Sequence, residues 1–216
     1  MSVEEEKRLA AETAAERIEL DSRVGLGTGT TVAYLLEAIA RRGVRARYVA
    51  TSPRTEESAR SLGLIVEAFD ALDELDLAID GADQIAPDGW LVKGRGGAHL
   101  REKITAAAAQ RFVVIADSSK PVTSLHAPVP LELRPFGLRA TLRELGDVVL
   151  RDVGRTPDGG VLADYHGVVD SPRELAERFD STPGVSAHGL FAPDLVSEII
   201  VATAKTVTIT TPGGQP

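Results

Sequence analysis

The sequence predicts an α/β fold in which a mostly parallel sheet domain carries an inserted, smaller α+β domain, and three observations predict it. A glycine-rich turn, "VGLGTGTT" from Val24 to Thr31, joins a short strand to a helix-patterned apolar run. Strand-like and helix-like segments then alternate as far as "FVVIAD", which ends at Asp117; this is the order of a parallel sheet built from βαβ units. From Pro128 onward the order becomes β-α-β-β-α-β, which is that of a ferredoxin-like unit.

Each element has a local reason. Ser2 to Leu20 is patterned as a polar amphipathic helix, and "SRVGLG" as a short strand running into the glycine turn. Val32, Leu35, Leu36 and Ile39 stand at i, i+3, i+4 and i+7, giving the next helix one apolar stripe that Gly43 is placed to end. "ARYVAT" is strand-like, Ser52 and Pro53 suit an N-cap and first helical position, and Gly63 closes that helix before the extended run "LIVEAF". "LDLAIDGADQI" predicts a strand ending at Asp80, and "WLVKGRGGAHLREKITAAAAQ" predicts an extended piece, a glycine loop and an Ala-rich helix. In the small domain "PVPLEL", "DVVLRDV", "GVLADY" and "GVSAHGLF" read as strands, and "FGLRATLRELG" and "SPRELAERFDS" as helices. "SEIIVATAKTVTIT" holds two further strands expected to return to the first domain, leaving the tail "PGGQP" frayed. The expected division is residues 1–126 plus 195–216 for the large domain and 127–194 for the small one.

Composition narrows the function. A chain of 216 residues, 43% of them hydrophobic, has ample material for a core. A formal charge of −8 without any dense Lys/Arg block argues against nucleic acid or an anionic membrane as partner. With no cysteine there is neither a disulfide, nor a thiolate metal site, nor a cysteine nucleophile. The N-terminal run lacks the apolar core of a signal peptide, and no stretch reaches transmembrane length. The expectation is a soluble, cytoplasmic protein acting on a small molecule.

Four segments carry candidate chemistry at the carboxyl ends of strands, where open α/β sheets bind ligands. In "GLGTGTT" neither the Walker spacing nor the dinucleotide fingerprint is present. That leaves a small phosphorylated ligand on backbone N–H groups and the hydroxyls of Thr28, Thr30 and Thr31, or simply a tight turn with capping threonines. In "DGADQI", Asp80 and Asp83 suit either two carboxylates accepting sugar hydroxyls in one crevice or ordinary turn acids. "KGRGGAHLREK" offers a cation at Lys93, loop N–H donors and a base at Glu102, the set that proton abstraction beside a carbonyl requires; otherwise both are surface residues around a linker. In "ADSSK", Lys120 is either a point charge for a phosphate or an exposed loop lysine. His99, His126, His166 and His188 show no metal-ligand spacing, and Trp90 is expected to pack.

Taken together, "GLGTGTT", "TSPRTEESARSLGL", "DGADQI", "LVKGRGGAHLREK", "DSSK", "PVPLELRPFG" and "PGVSAHGLF" resemble, in order and spacing, the A-type ribose-5-phosphate isomerases from about Lys7 to Ile209. The resemblance implies a Rossmann-like domain with an inserted ferredoxin-like domain, a homodimer or homotetramer, and cofactor-free interconversion of ribose 5-phosphate and ribulose 5-phosphate. It implies Glu102 as the proton carrier between C1 and C2, with Asp80, Asp83 and Lys93 supporting ring opening and the enediolate. Thr28, Gly29, Thr30, Thr31, Gly81, Ala82, Gly94, Arg95, Gly96 and Lys120 form the implied substrate-binding set, and no metal is expected.

The departures from the family pattern are Thr30 for serine, Gln84 for glutamate, Arg95 for glycine, His99 for a small or apolar residue, and "DGG" at Gly159 and Gly160 for an "NGN"-like turn. Arg95 is the most consequential, because a positive φ there would be costly for a side chain. Two alternatives stay open: a non-catalytic sugar-phosphate sensor, and an isomerase for another sugar phosphate.

Overall fold

The computed structural model describes residues 2–212. The described residues divide into two compact units: 2–82, 101–120 and 193–212 form the first, and Asp83–Leu100 with Pro121–Ala192 the second.

The first unit is a six-stranded sheet with helices. Its strands are β1 (Arg23–Leu26), β2 (Arg47–Ala50), β3 (Leu77–Gly81), β6 (Phe112–Asp117), β12 (Glu198–Ala202) and β13 (Val207–Thr210), in the order β13-β12-β6-β3-β1-β2. All neighbours are parallel except β12 and β13. From β1 the chain moves outward to β2, whereas from β3 it moves the other way to β6 and β12. The direction of winding therefore reverses between β1 and β3, the position at which open α/β sheets bind ligands.

The helices follow their local chemistry. In α1 (Val3–Ala15) Ser2 and Glu5 form a reciprocal capping box, and the buried face is Ala10, Ala11, Ala14 and Ala15, small enough for close approach. The helix ends short of the expected Leu20; beyond it Arg17 pairs with Glu198 of β12 at 2.8 Å. α2 (Thr30–Arg42) buries Val32, Leu35, Leu36 and Ile39 and ends at Gly43 in the left-handed region, as its stripe and glycine predict. In α3 (Pro53–Ser61) the Ser52 hydroxyl accepts the Thr55 N–H, with Pro53 at the start. The extended run "LIVEAF" forms no full strand: Val66 makes an isolated bridge to Tyr48, and the chain then makes a short 3-10 turn at Phe69–Ala71. Val24, Leu26, Ile79, Val113, Ile115 and Ile200 unite strands and helices in one core.

The second unit holds two antiparallel sheets. β7 (Val129–Leu133), α5 (Leu138–Leu145), β8 (Val148–Leu150), β9 (Val161–Tyr165), α6 (Pro172–Ser181) and β10 (Val185–His188) give the β-α-β-β-α-β order, with sheet order β10-β7-β9-β8. β4 (Gln84–Ile85), β5 (Leu91–Val92) and β11 (Leu190–Phe191) form the other sheet, ordered β11-β5-β4. Those pairings, and a bridge from Ile85 to Pro121, take residues 83–100 and 121–126 into this unit, which ends at Ala192 where the sequence reading had expected 127–194. "GVSAHGLF" is two strands, not one. They part at Gly189, whose N–H donates to Pro130 and whose carbonyl accepts the Lys93 N–H. Trp90 lies in the core of this unit with Leu131, Tyr165 and Phe179. α4 (His99–Ala107) begins in the second unit and continues in the first. No helix among the described residues is long and apolar enough to cross a membrane.

α1 is tied to the turn after β6 by one carboxylate. Glu6, 5% exposed, accepts the Ser118 hydroxyl at 2.6 Å and the Ser118 N–H at 3.1 Å. The Ser118 hydroxyl first, and its N–H second, hold the Glu6 carboxyl below its ordinary value of 4.5. Because the folded pKa is lowered, the stabilisation is complete above the ordinary carboxylate range and is lost as pH falls through the lowered value. Ser118→Ala is therefore expected to destabilise at neutral pH and to differ progressively less from the parent as the solution is acidified below that range. Urea midpoints across pH check this, and a difference that stays constant into acid contradicts it.

Candidate active site

Thr28 to Thr31, Asp80 to Ala82, Glu102 and Lys120 belong to the first unit. Leu26 of β1 is opposite Ile79 of β3, and the Gly27 N–H donates to the Ile79 carbonyl at 3.0 Å, so Gly27 comes level with Asp80. A Cβ at Gly27 would lie 1.9 Å from the Asp80 carboxyl carbon. The absent side chain makes room for the carboxylate. Asp80, 3% exposed, accepts the Thr28 N–H at 3.0 Å and the Gly81 N–H at 2.7 Å on the same oxygen, Oδ1.

The rest of the turn is organised around Thr28. Its hydroxyl lies 2.9 Å from that of Thr51 and 3.4 Å from that of Thr55, while the Thr55 hydroxyl donates to the Gly27 carbonyl at 2.9 Å. Gly29, at φ +133°, is the N-cap of α2, and no side chain caps the helix. The alternative of capping threonines therefore falls. Thr30 is exposed at the helix start and Thr31 buried behind it. The first-turn N–H groups of a thirteen-residue helix form a site of positive potential with no side-chain cap on it.

Glu102 is 4% exposed in α4, one helical turn before Thr105. A Cβ at Gly25 would meet the Thr105 methyl at 2.3 Å, so α4 packs directly on the backbone of β1. Residues three apart share a helix face, and Glu102 thus belongs to the face turned toward β1. Lys120 is half-buried after β6. Its N–H donates to the Asp117 carbonyl, and the Asp117 carboxylate accepts the Ser119 N–H and hydroxyl.

The remaining candidates belong to the second unit: Asp83, Lys93, Gly94, Arg95 and Gly96. Lys93 is 2% exposed, its ammonium 5.3 Å from the centre of the Phe191 ring, a cation–π distance. Lysine is rarely this buried without a specific partner or function. Gly94 and Gly97 take the positive φ values of the loop, +106° and +74°, and the Gly97 N–H closes the turn on the Gly94 carbonyl at 3.0 Å. Arg95 does not have a positive φ, which corrects the expectation of backbone strain there. Its N–H donates to Asp83 Oδ2 at 3.0 Å, and its guanidinium is 79% exposed. A Cβ at Gly94 would lie 2.7 Å from the buried His99 ring, so His99 packs against the loop backbone.

Gln84 also has a specific reason to be an amide. Its Nε2 donates to the His126 carbonyl at 2.8 Å and its Oε1 accepts the His126 N–H at 2.9 Å; a carboxylate has no donor for the first bond. Sequence reading missed Thr51, Thr55, Glu6 and Asp117. A threonine directly after strand β2 and before the Ser52 cap was the available signal for Thr51.

The chain matches the family model for ribose 5-phosphate isomerase A (phosphoriboisomerase A) over residues 47–206. It is 41% identical over 223 residues to ribose-5-phosphate isomerase A of Bartonella quintana, covering 94% of this chain and 95% of the relative. It belongs to the ribose 5-phosphate isomerase A family. The crystal structure of the Neisseria gonorrhoeae ribose 5 phosphate isomerase A superposes with a TM-score of 0.94 at 33% identity, covering 99% of each chain. A D-ribose-5-phosphate isomerase in complex with phospho-erythronic acid gives 0.91 at 33% identity, covering 98% of this chain and 100% of its own. By family the chain is an enzyme, an isomerase.

Because the Gly27 position is filled by the Asp80 carboxylate, Gly27→Ala is expected to displace Asp80 and destabilise the protein by about 1–3 kcal/mol, the range for overpacking a closed site. Equilibrium urea unfolding measures it, and an unchanged midpoint would show that the two turns accommodate a methyl group.

Proposed function

We propose that this chain interconverts D-ribose 5-phosphate and D-ribulose 5-phosphate through a cis-enediolate, with Glu102 carrying the proton between C2 and C1. The observation that carries the reading is the burial of Glu102 in α4, one helical turn from Thr105, whose methyl packs on the backbone of β1. A carboxylate removed from water and placed at the ligand-binding end of a parallel sheet suits a general base.

The roles follow from chemistry. Asp80, Asp83 and Lys93 promote ring opening by exchanging protons with the ring oxygen and the anomeric hydroxyl. Glu102 takes the C2 proton of the open aldose; the C–H electron pair becomes the C1–C2 double bond, and the carbonyl pair moves to O1. Lys93 and the N–H groups of Gly94 and Gly96 stabilise the developing negative charge. Glu102 then delivers its proton to C1 while the O2 proton passes to O1, leaving the ketone at C2. Atoms and electrons balance without a co-substrate. The turn from Thr28 through Gly29 and Thr30 to Thr31, with Lys120, holds the phosphate, and the backbone at Gly81, Ala82 and Arg95 borders the sugar. The phospho-erythronic acid bound by the relative supports this reading, because its planar carboxylate beside a carbinol resembles an enediolate in shape and charge.

Glu102→Gln keeps size and removes the base. Turnover of ribose 5-phosphate is expected to fall by about 10²–10⁴, while sugar-phosphate affinity stays within about tenfold, or roughly 1.4 kcal/mol. Turnover assays with calorimetric titration of the sugar phosphate check both, and undiminished turnover removes Glu102 from the role.

A further inference from the structure

We infer that Arg151 is a positioning residue for catalysis, setting the peptide planes of the Gly94–Gly97 loop and with them the direction of its N–H donors. The inference rests on the proposed isomerase reading and extends it to a residue more than fifty positions along the chain from the loop.

Arg151 follows β8, and its own N–H donates to the Leu162 carbonyl of β9 at 3.0 Å, so its backbone is anchored to the sheet. Its guanidinium, with the side chain 16% exposed, makes a fork with Asp164: Nε to Oδ2 at 2.8 Å and Nη2 to Oδ1 at 2.7 Å. This bidentate pairing fixes the plane of the group. Nη1 then donates to two successive carbonyls of the loop, Gly94 at 3.0 Å and Arg95 at 3.1 Å.

The consequence lies in peptide planarity. In a trans peptide the C=O of one residue and the N–H of the next point in opposite directions. Holding the carbonyls of Gly94 and Arg95 on Arg151 therefore turns the N–H groups of Arg95 and Gly96 away from it. The first of these reaches Asp83 Oδ2 at 3.0 Å. The second belongs to an exposed glycine and is fixed in direction by the same guanidinium. A loop with two glycines at positive φ has other conformations open to it, and Arg151 and Asp83 select one, gripping opposite sides of the Gly94–Arg95 peptide. Lysine lacks the fork, so it cannot hold Asp164 and both carbonyls in one geometry.

The test uses the full-length chain, with steady-state isomerisation of ribose 5-phosphate measured for the parent, Arg151→Ala and Arg151→Lys, and folding followed by circular dichroism. A displaced set of donors weakens the transition state more than the ground state. The expected result is a kcat at least about tenfold lower in a folded alanine variant, with KM within about threefold. Arg151→Lys serves where the alanine variant fails to fold, and is expected to show the same loss in kcat. Full kcat in a folded variant, or a change confined to KM, overturns the inference. Failure of the parent to isomerise the sugar would instead fail the isomerase reading, so the two are told apart in one experiment.

Discussion

The carboxyl end of the parallel sheet depends on one carboxylate. Asp80 Oδ1 accepts an N–H from the turn after β1 and an N–H from the turn after β3, the two strands between which the winding reverses. A buried carboxylate is tolerated only with such donors, and the bonds in turn fix both loops. The requirement falls on the residue after β1: with Leu26 and Ile79 in register, the position level with Asp80 has no room for a side chain, and Gly27 is there. Thr28, Thr51 and Thr55 then build outward from that fixed point. A turn held from several sides is the result, and the proposed phosphate site rests on it.

The sequence made the parallel architecture and the turn legible, but not the reason for each glycine. Three glycines in "GLGTGTT" suggested one cause, a phosphate approached by backbone. They answer three constraints: Gly25 admits Thr105 of α4, Gly27 admits Asp80, and Gly29 carries the φ of +133° at the helix cap. Two of these are contacts with residues more than fifty positions away, which no local pattern records. Arg95 shows the converse. Its expected strain came from treating the loop as uniformly glycine-like, whereas the positive φ values fall on Gly94 and Gly97 only.

Elements with a cap or a full apolar stripe, such as α2, α3 and α6, were readable because their signals lie within one or two turns of chain. The three-stranded sheet was not. Strands of two residues, as in β4, β5 and β11, have no periodicity to detect, and their pairing joins segments near Leu91 and Leu190. The support beneath the site was hidden for the same reason: Glu6 with Ser118, Gln84 with His126, and Arg151 with the glycine loop are all long-range bonds. Candidate catalytic residues announce themselves by type; the residues that hold them in place are found only from the fold.

The most direct test of the chemistry is isomerisation of ribose 5-phosphate in deuterium oxide, with the products analysed by NMR. Proton transfer by a side-chain carboxylate through an enediolate predicts solvent deuterium at C1 of the ketose, and at C2 of the aldose recovered near equilibrium. Complete retention of the original C2 hydrogen at C1 over many turnovers, with undiminished turnover in Glu102→Gln, would mean an internal hydride shift, and would contradict a base at Glu102.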